Sequence, residues 1–84
     1  MGNIYLVKDL SGVTGVSVYT IKYYLKLGLI KEVGRTSQLD YRYFNDSTVK
    51  QLAKIRRLRK ERISIGKIQS RIKEEALKWV ILKN

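Results

Sequence analysis

Apolar residues recur with a helical period in the stretch that ends at Gly28. Val18, Ile21 and Leu25 fall on one side of a helix axis. Ser17 predicts the N-terminal cap of this helix, and Gly28 predicts the left-handed residue that ends it. The opposite side carries Tyr19, Lys22, Tyr23 and Lys26. A solvated helix would also have a polar side, but usually one that mixes Glu with Lys, so we interpret this acid-free side as a nucleic-acid-reading face.

A shorter helical pattern precedes this stretch. Val7, Leu10 and Val13 recur at steps of three, and Gly12 and Gly15 bracket the end of the predicted helix. Two short helices joined by a tight glycine-containing turn form a helix-turn-helix, in which the first helix holds the second against the major groove. Because helical hairpins also occur in proteins that bind nothing, this geometry alone is weak evidence of function.

The next stretch predicts a β-hairpin with a basic residue near its tip: a strand over 29–33, a polar turn over 34–38 and a returning strand over 39–44. Alternation places Tyr41 and Tyr43 on one face and Arg42 and Phe44 on the other. We expect one face to pack and the other to meet a phosphate backbone. The alternative is a hairpin that only covers the core.

Two further helices are predicted in the second half of the chain. Asn45 predicts the cap of the third helix and Ser64 that of the fourth. Apolar residues of the third helix recur every three residues, which predicts a slanting line of core contacts through Val49, Leu52, Ile55 and Leu58. Its many basic residues fit a DNA-facing surface and a solvated surface equally well. The fourth helix has one apolar side made of Ile65, Ile68, Ile72, Ala76 and Trp79.

The C-terminal stretch is more apolar than the end of a small monomer should be. Its apolar residues are Trp79, Val80, Ile81 and Leu82. We hypothesise that the tail packs partly on a second copy and forms a weak homodimer, and the alternative is a tail folded wholly onto the third helix. The predicted organisation is a DNA-binding domain over 1–72 and an apolar tail or helix extension for self-association over 73–84.

Composition narrows the function. The 84 residues make one small domain with 18 Lys and Arg against 7 Asp and Glu, a formal net charge of +11 that favours a polyanionic partner. Nucleic acid is the first candidate and an anionic membrane surface the second. With no Cys and no His, we expect no metal site, no cofactor and no enzymatic acid–base pair. The longest apolar run is far too short to span a bilayer, so we expect no membrane span and a cytoplasmic protein.

Two blocks of sequence resemble the MerR family of bacterial transcription regulators. Residues 5–24 with 27–30 are similar without a gap to that family's opening helix-turn-helix, and residues 40–46 to the end of its wing. The likeness covers residues 4 to 72, with several motifs in the right order and spacing. It implies a mainly α fold: a winged helix-turn-helix with a small β-hairpin wing and about four helices.

The resemblance implies that a recognition helix over 17–27 enters the major groove of double-stranded DNA and that a wing over 31–44 holds the backbone. Tyr24 has a mixed role in this interpretation, since its ring packs while its hydroxyl reaches a phosphate. Arg35 is a looser candidate at the wing tip. The complete predicted DNA-binding set is Ser17, Tyr19, Thr20, Lys22, Tyr23, Tyr24, Lys26, Arg35, Tyr41 and Arg42.

Three residues depart from the family pattern. Lys22 stands where Arg is usual, which keeps the charge but loses the bidentate fork that reads guanine well. Asp40 and Arg62 each replace a common Gly, and we expect both to alter local geometry. The long dimerisation helix and the effector domain of the family are absent from this sequence, and no effector site is visible. The chain is therefore expected to be a fragment of a regulator or a short relative.

The sequence favours a sequence-specific regulator of transcription. The alternative is an excisionase-like architectural protein that bends DNA during site-specific recombination. A protein that binds RNA or a membrane surface by charge alone is a third reading.

Overall fold

The computed structural model describes residues 3–83, with side chains for residues 3–78. Four helices and three short strands follow one another as β1 (Tyr5–Leu6), α1 (Val7–Thr14), α2 (Val18–Leu27), β2 (Gly34–Arg35), β3 (Arg42–Phe44), α3 (Asp46–Lys60) and α4 (Ile65–Lys83). The expected mainly α fold with four helices and a small hairpin wing is confirmed.

The ends of α1 and α2 are defined by the predicted capping residues. The Ser17 hydroxyl accepts a hydrogen bond from the backbone N–H of Thr20 at 3.1 Å. Gly15 and Gly28 end the two helices with φ angles of 75° and 76°, a left-handed conformation that glycine adopts without a steric penalty. The turn between α1 and α2 is therefore tight and leaves the two helices in contact, as a helix-turn-helix requires.

The sheet is antiparallel, with β3 in the centre and β1 and β2 at its edges. Tyr5 of β1 pairs with Phe44 of β3, and Arg35 of β2 pairs with Arg42 of β3. The predicted hairpin is therefore present. The third strand, β1, was not predicted, because two residues are too few to show an alternating pattern.

The predicted bounds of the hairpin strands were wrong. Residues 29–33 form no strand, and β2 lies within residues 34–38, where a polar turn was expected. Leu29 and Ile30 are instead buried in the core directly after the left-handed Gly28. The N–H of Leu29 donates to the carbonyl of Tyr24 at 3.0 Å, so it belongs to the helix end and does not pair with another strand.

The close approach of the Tyr43 ring explains why β2 contains Gly34. A Cβ atom on Gly34 would overlap the ring of Tyr43, which lies over it from the paired position on β3. The close approach of this ring requires a residue without a side chain.

Every helix and the central strand contribute to one core. Its buried members are Leu10, Ile21, Leu29, Ile30, Phe44, Leu52, Ile55, Leu58 and Ile68. The slanting line predicted on α3 is confirmed, with Val49 partly buried at its edge. On the apolar side of α4, burial ends at Ile72, and Ala76 is exposed. Val13 and Val18 are also exposed, although their spacing suggested the core.

The fourth helix continues through residue 83 without a break at the predicted boundary between residues 72 and 73. The side chains of Trp79, Val80, Ile81 and Leu82 lie outside the described residues, so self-association through the tail stays a prediction. Within residues 3–83, no helix combines the length and the apolar character needed to cross a membrane.

Asp40 and Arg62, the two replacements for a common Gly, both adopt positive φ angles, of 55° and 63°. That the replacements alter the local geometry stays a prediction. Both residues adopt a left-handed conformation, which glycine reaches without a steric penalty, and each accepts the strain that a Cβ atom brings there. At Arg62 this conformation lets the N–H of Ile63 donate to the carbonyl of Leu58 at 3.1 Å, which closes the end of α3.

We therefore expect Arg62→Gly to raise the free energy of unfolding by about 1 kcal/mol, because relief of the strained φ exceeds the added freedom of the unfolded chain. Urea denaturation followed by circular dichroism measures this change. Arg62→Ala is the matched control, since it removes the same side chain but keeps the Cβ atom. Equal stability of the two variants would contradict the conformational explanation.

Candidate DNA-binding surface

The outer side of α2 presents a basic and aromatic surface. Ile21 is fully buried, and this orientation points Tyr19, Lys22, Tyr23 and Lys26 to solvent, with Tyr19 81% exposed. No acidic residue pairs with either lysine within the described part of the chain. Both ammonium groups are thus free to meet a polyanion.

Ser17 and Thr20, two predicted contact residues, are engaged at the start of α2. The Ser17 hydroxyl donates to Thr20 Oγ1 at 2.9 Å while it accepts from the Thr20 backbone. Their local role is to cap the helix. The N-terminus of α2 carries the positive end of the helix dipole, which favours a nearby phosphate.

Tyr24 is half-buried and packs against the core, whereas its neighbour Tyr23 is exposed. The two rings are tilted by 42° with their centroids 6.2 Å apart. The ring of Tyr24 therefore packs as predicted. Contact between its hydroxyl and a phosphate stays a prediction.

The wing carries a network of four charged side chains. Glu32 Oε2 accepts from Arg35 Nε at 2.7 Å, and Glu32 Oε1 accepts from Arg42 Nε at 3.1 Å. Arg35 Nη1 also donates to Asp40 Oδ2 at 3.1 Å. The hydrogen bond that Arg35 donates to Glu32 and the charges of both carboxylates raise the pKa of the Arg35 guanidinium above its ordinary value.

A groove of about 500 Å³ separates α2 from the wing. The charged residues that line it are Lys22, Lys26, Lys31, Glu32 and Arg42. Four cations against one acid in a single concave surface concentrate positive potential there. The structure thus brings two recognition-helix lysines together with one predicted wing arginine.

A second groove, of about 360 Å³, lies on the other side of the wing, between the wing and the start of α1. It includes Arg35, Tyr41 and Lys8 among its lining residues. Arg42 lines both grooves, so the predicted wing residues form one continuous surface with α2. Tyr19 and Tyr23 line neither groove and project from the outer face of α2.

Three charged residues that line these grooves, Lys8, Lys31 and Glu32, were not among the predicted site residues. Lys31 lies inside the predicted wing, directly after the apolar Leu29 and Ile30. A basic residue that follows two core residues is expected to be exposed, so this local pattern could have identified Lys31 as a site residue. The role of Glu32 depends on two arginines that lie three and ten positions away. No local pattern reveals that convergence.

Three side chains from α3 and α4 hold the helix-turn-helix from behind. Gln69 Nε2 donates to the carbonyl of Leu27 at 2.8 Å, and Gln51 Nε2 donates to that of Leu29 at 3.5 Å. Arg56 Nη1 donates to the carbonyl of Thr14 at 3.0 Å. These carbonyls lie at or just after helix ends, where intrahelical partners are missing. The hydrogen bonds therefore couple the orientation of α1 and α2 to the other two helices.

This geometry defines a class of protein, the winged helix-turn-helix with a basic surface across its second helix and wing. A family comparison refines that class. Residues 5–75 match the MerR HTH family of regulatory proteins, and the chain belongs to that family. The predicted resemblance is confirmed.

One curated relative is the HTH-type transcriptional regulator CueR of Bacillus subtilis (strain 168). It is 30% identical over 71 residues, which cover 84% of this chain and 48% of the relative. This chain thus spans about half the length of the curated relative that it matches.

Two solved structures are similar in fold. HiNmlR, a MerR family regulator lacking the sensor domain and bound to promoter DNA, has a TM-score of 0.76 and 28% identity, covering 89% of this chain and 55% of that one. A MerR family transcriptional regulator from Bacillus cereus has a TM-score of 0.75 over 95% of this chain and 63% of its own. At 23% identity, this second likeness shows the fold alone. The matches favour the regulator over the excisionase-like alternative.

The hydrogen bond from Gln69 predicts a stability effect. Gln69→Met keeps the length of the side chain but leaves the part-buried carbonyl of Leu27 without this donor. We expect the free energy of unfolding to fall by about 1–2 kcal/mol. Glu74→Met, at an exposed position of the same helix, is the control, since Glu, Gln and Met have nearly equal helix propensities. Equal losses in the two variants, measured by urea denaturation, would show that the hydrogen bond contributes nothing.

Proposed function

We propose that this chain is the DNA-binding part of a MerR-type regulator of transcription and binds double-stranded DNA in a sequence-specific manner. In this proposal the chain binds DNA in the bacterial cytoplasm and catalyses no reaction. The recognition helix over 17–27 enters the major groove, and the wing over 31–44 lies on the backbone. The continuous basic surface from α2 to the wing carries the proposal.

The two parts of this surface have different tasks. The exposed side chains of α2 stand out from a narrow helix that fits the major groove, and they can reach base edges. The wing offers arginine donors at the rim of the protein groove between α2 and the wing, and these donors suit phosphate oxygens. That HiNmlR is described as bound to promoter DNA supports this arrangement for a related fold.

The first test addresses base reading by α2. Lys22→Ala and Tyr23→Ala should each lower discrimination between the preferred duplex and mixed-sequence DNA by about 1–3 kcal/mol, because each removes a base contact. The preferred duplex is obtained by selection from a randomised pool with the wild-type protein. Affinities for both duplexes are then measured by fluorescence anisotropy.

Lys73→Ala on α4 is the matched control for Lys22→Ala, since it removes the same charge from an exposed helical position away from the proposed surface. It should leave discrimination unchanged. Full discrimination by folded Lys22→Ala and Tyr23→Ala proteins would show that α2 does not read bases.

The second test addresses the wing. Arg42→Ala should weaken binding to all duplexes alike and lower the slope of log affinity against log salt by about one, because a phosphate contact carries no sequence information. The measurement is a salt titration with several unrelated duplexes. An effect confined to one base position would show that the wing reads sequence.

The proposed homodimer remains separate from these tests. It depends on the tail over 73–84, whose apolar side chains beyond residue 78 lie outside the described residues. DNA half-sites would reinforce such a dimer by raising the effective concentration of the second copy. Sedimentation of the wild type and of Trp79→Lys measures the oligomeric state of each protein and so tests the dimer directly.

A further inference from the structure

Glu32 occupies an unexpected place for an acid, inside the groove between α2 and the wing. It is the only acidic residue that lines this groove among the residues that the structure describes. Its side chain is 29% exposed, and each carboxylate oxygen accepts from a different arginine. One carboxylate thus joins the two strands of the wing at the Arg35–Arg42 pair.

The hydrogen bonds leave part of each arginine free. A guanidinium carries five N–H donors. Arg42 uses its Nε–H toward Glu32, and Arg35 uses its Nε–H and one N–H of Nη1. The side chains of Arg35 and Arg42 remain 44% and 43% exposed. Their remaining Nη donors are therefore available to a ligand while the Nε edge of each group is held.

The charges of the network cancel. Arg35 and Arg42 contribute two positive charges, and Glu32 and Asp40 contribute two negative charges. Such a cluster attracts a phosphate through directed hydrogen bonds and not through net charge. Its contribution to binding thus depends on geometry, since the two acids hold one edge of each guanidinium and leave Nη donors for a phosphate.

We infer that Glu32 is a positioning residue, which orients the Nη donors of Arg35 and Arg42 toward the phosphate backbone of duplex DNA. This role rests on the proposed function and deepens it. The contact is sequence-independent, so it can be measured on any duplex without knowledge of the preferred site.

The test compares Glu32→Gln with Glu74→Gln, which removes the same charge from an exposed position on α4. The probe is a short duplex of mixed sequence, and affinity is measured by fluorescence anisotropy over a salt series. Loss of a negative charge alone should tighten binding in both variants. We expect Glu32→Gln to bind about fivefold more weakly than Glu74→Gln, the size of effect typical of one coupled interaction.

A comparison of triple variants separates positioning from a general loss of structure. In a protein that also carries Arg35→Ala and Arg42→Ala, the difference between Glu32→Gln and Glu74→Gln should vanish, because Glu32 has nothing left to orient. NMR signals of the Nε–H groups of Arg35 and Arg42 should also lose their dispersion in Glu32→Gln without DNA present. A structural defect would persist in the background that lacks Arg35 and Arg42.

A second variant provides the test if Glu32→Gln does not fold. Glu32→Asp keeps the charge but shortens the side chain, so it cannot reach both arginines, and it should bind more weakly than Glu74→Asp. Binding by Glu32→Gln equal to or tighter than that of Glu74→Gln would overturn the positioning role. A wild-type protein that fails to bind duplex DNA would overturn the proposed function itself, together with this role.

Discussion

Burial of the inner side of α2 in a core shared by all four helices is the constraint on which the rest of the structure depends. Ile21 is fully buried beside Leu10 of α1, Phe44 of β3 and Ile68 of α4. Because a helix presents its residues at fixed angles, burial of Ile21 determines the direction of every other side chain on α2. The lysines and tyrosines of its outer side are exposed for that reason, and the wing lies at the edge of the same surface.

The polar contacts behind α2 make that orientation specific. Apolar packing alone tolerates small rotations, whereas a hydrogen bond to a helix-end carbonyl requires one distance and direction. Gln69 reaches the end of α2 from α4, and Arg56 reaches the end of α1 from α3. A recognition surface held in this way loses little conformational freedom on binding. Of these contacts, the hydrogen bond from Gln69 connects α4 to α2 and that from Arg56 connects α3 to α1.

Charge is distributed unevenly over this surface. The chain carries a formal net charge of +11, yet the wing network of Glu32, Arg35, Asp40 and Arg42 sums to zero. Most of the net positive charge therefore lies on the helices and on Lys31, where it suits long-range attraction of a polyanion. The guanidinium groups of the network instead offer directed hydrogen bonds.

The helices, their caps and the basic side of α2 could be predicted from the sequence, because capping at Ser17 and Gly28 and the periodicity around Ile21 are local properties. The sequence also indicated a hairpin and its arginines. The strand bounds depend on the packed fold, since Leu29 and Ile30 are apolar because they enter the core and not because they form a strand. The convergence of Glu32 on Arg35 and Arg42 and the hydrogen bond from Gln69 to Leu27 also arise only in the folded chain. These contacts join residues that meet only when the chain has folded, so no local pattern encodes them.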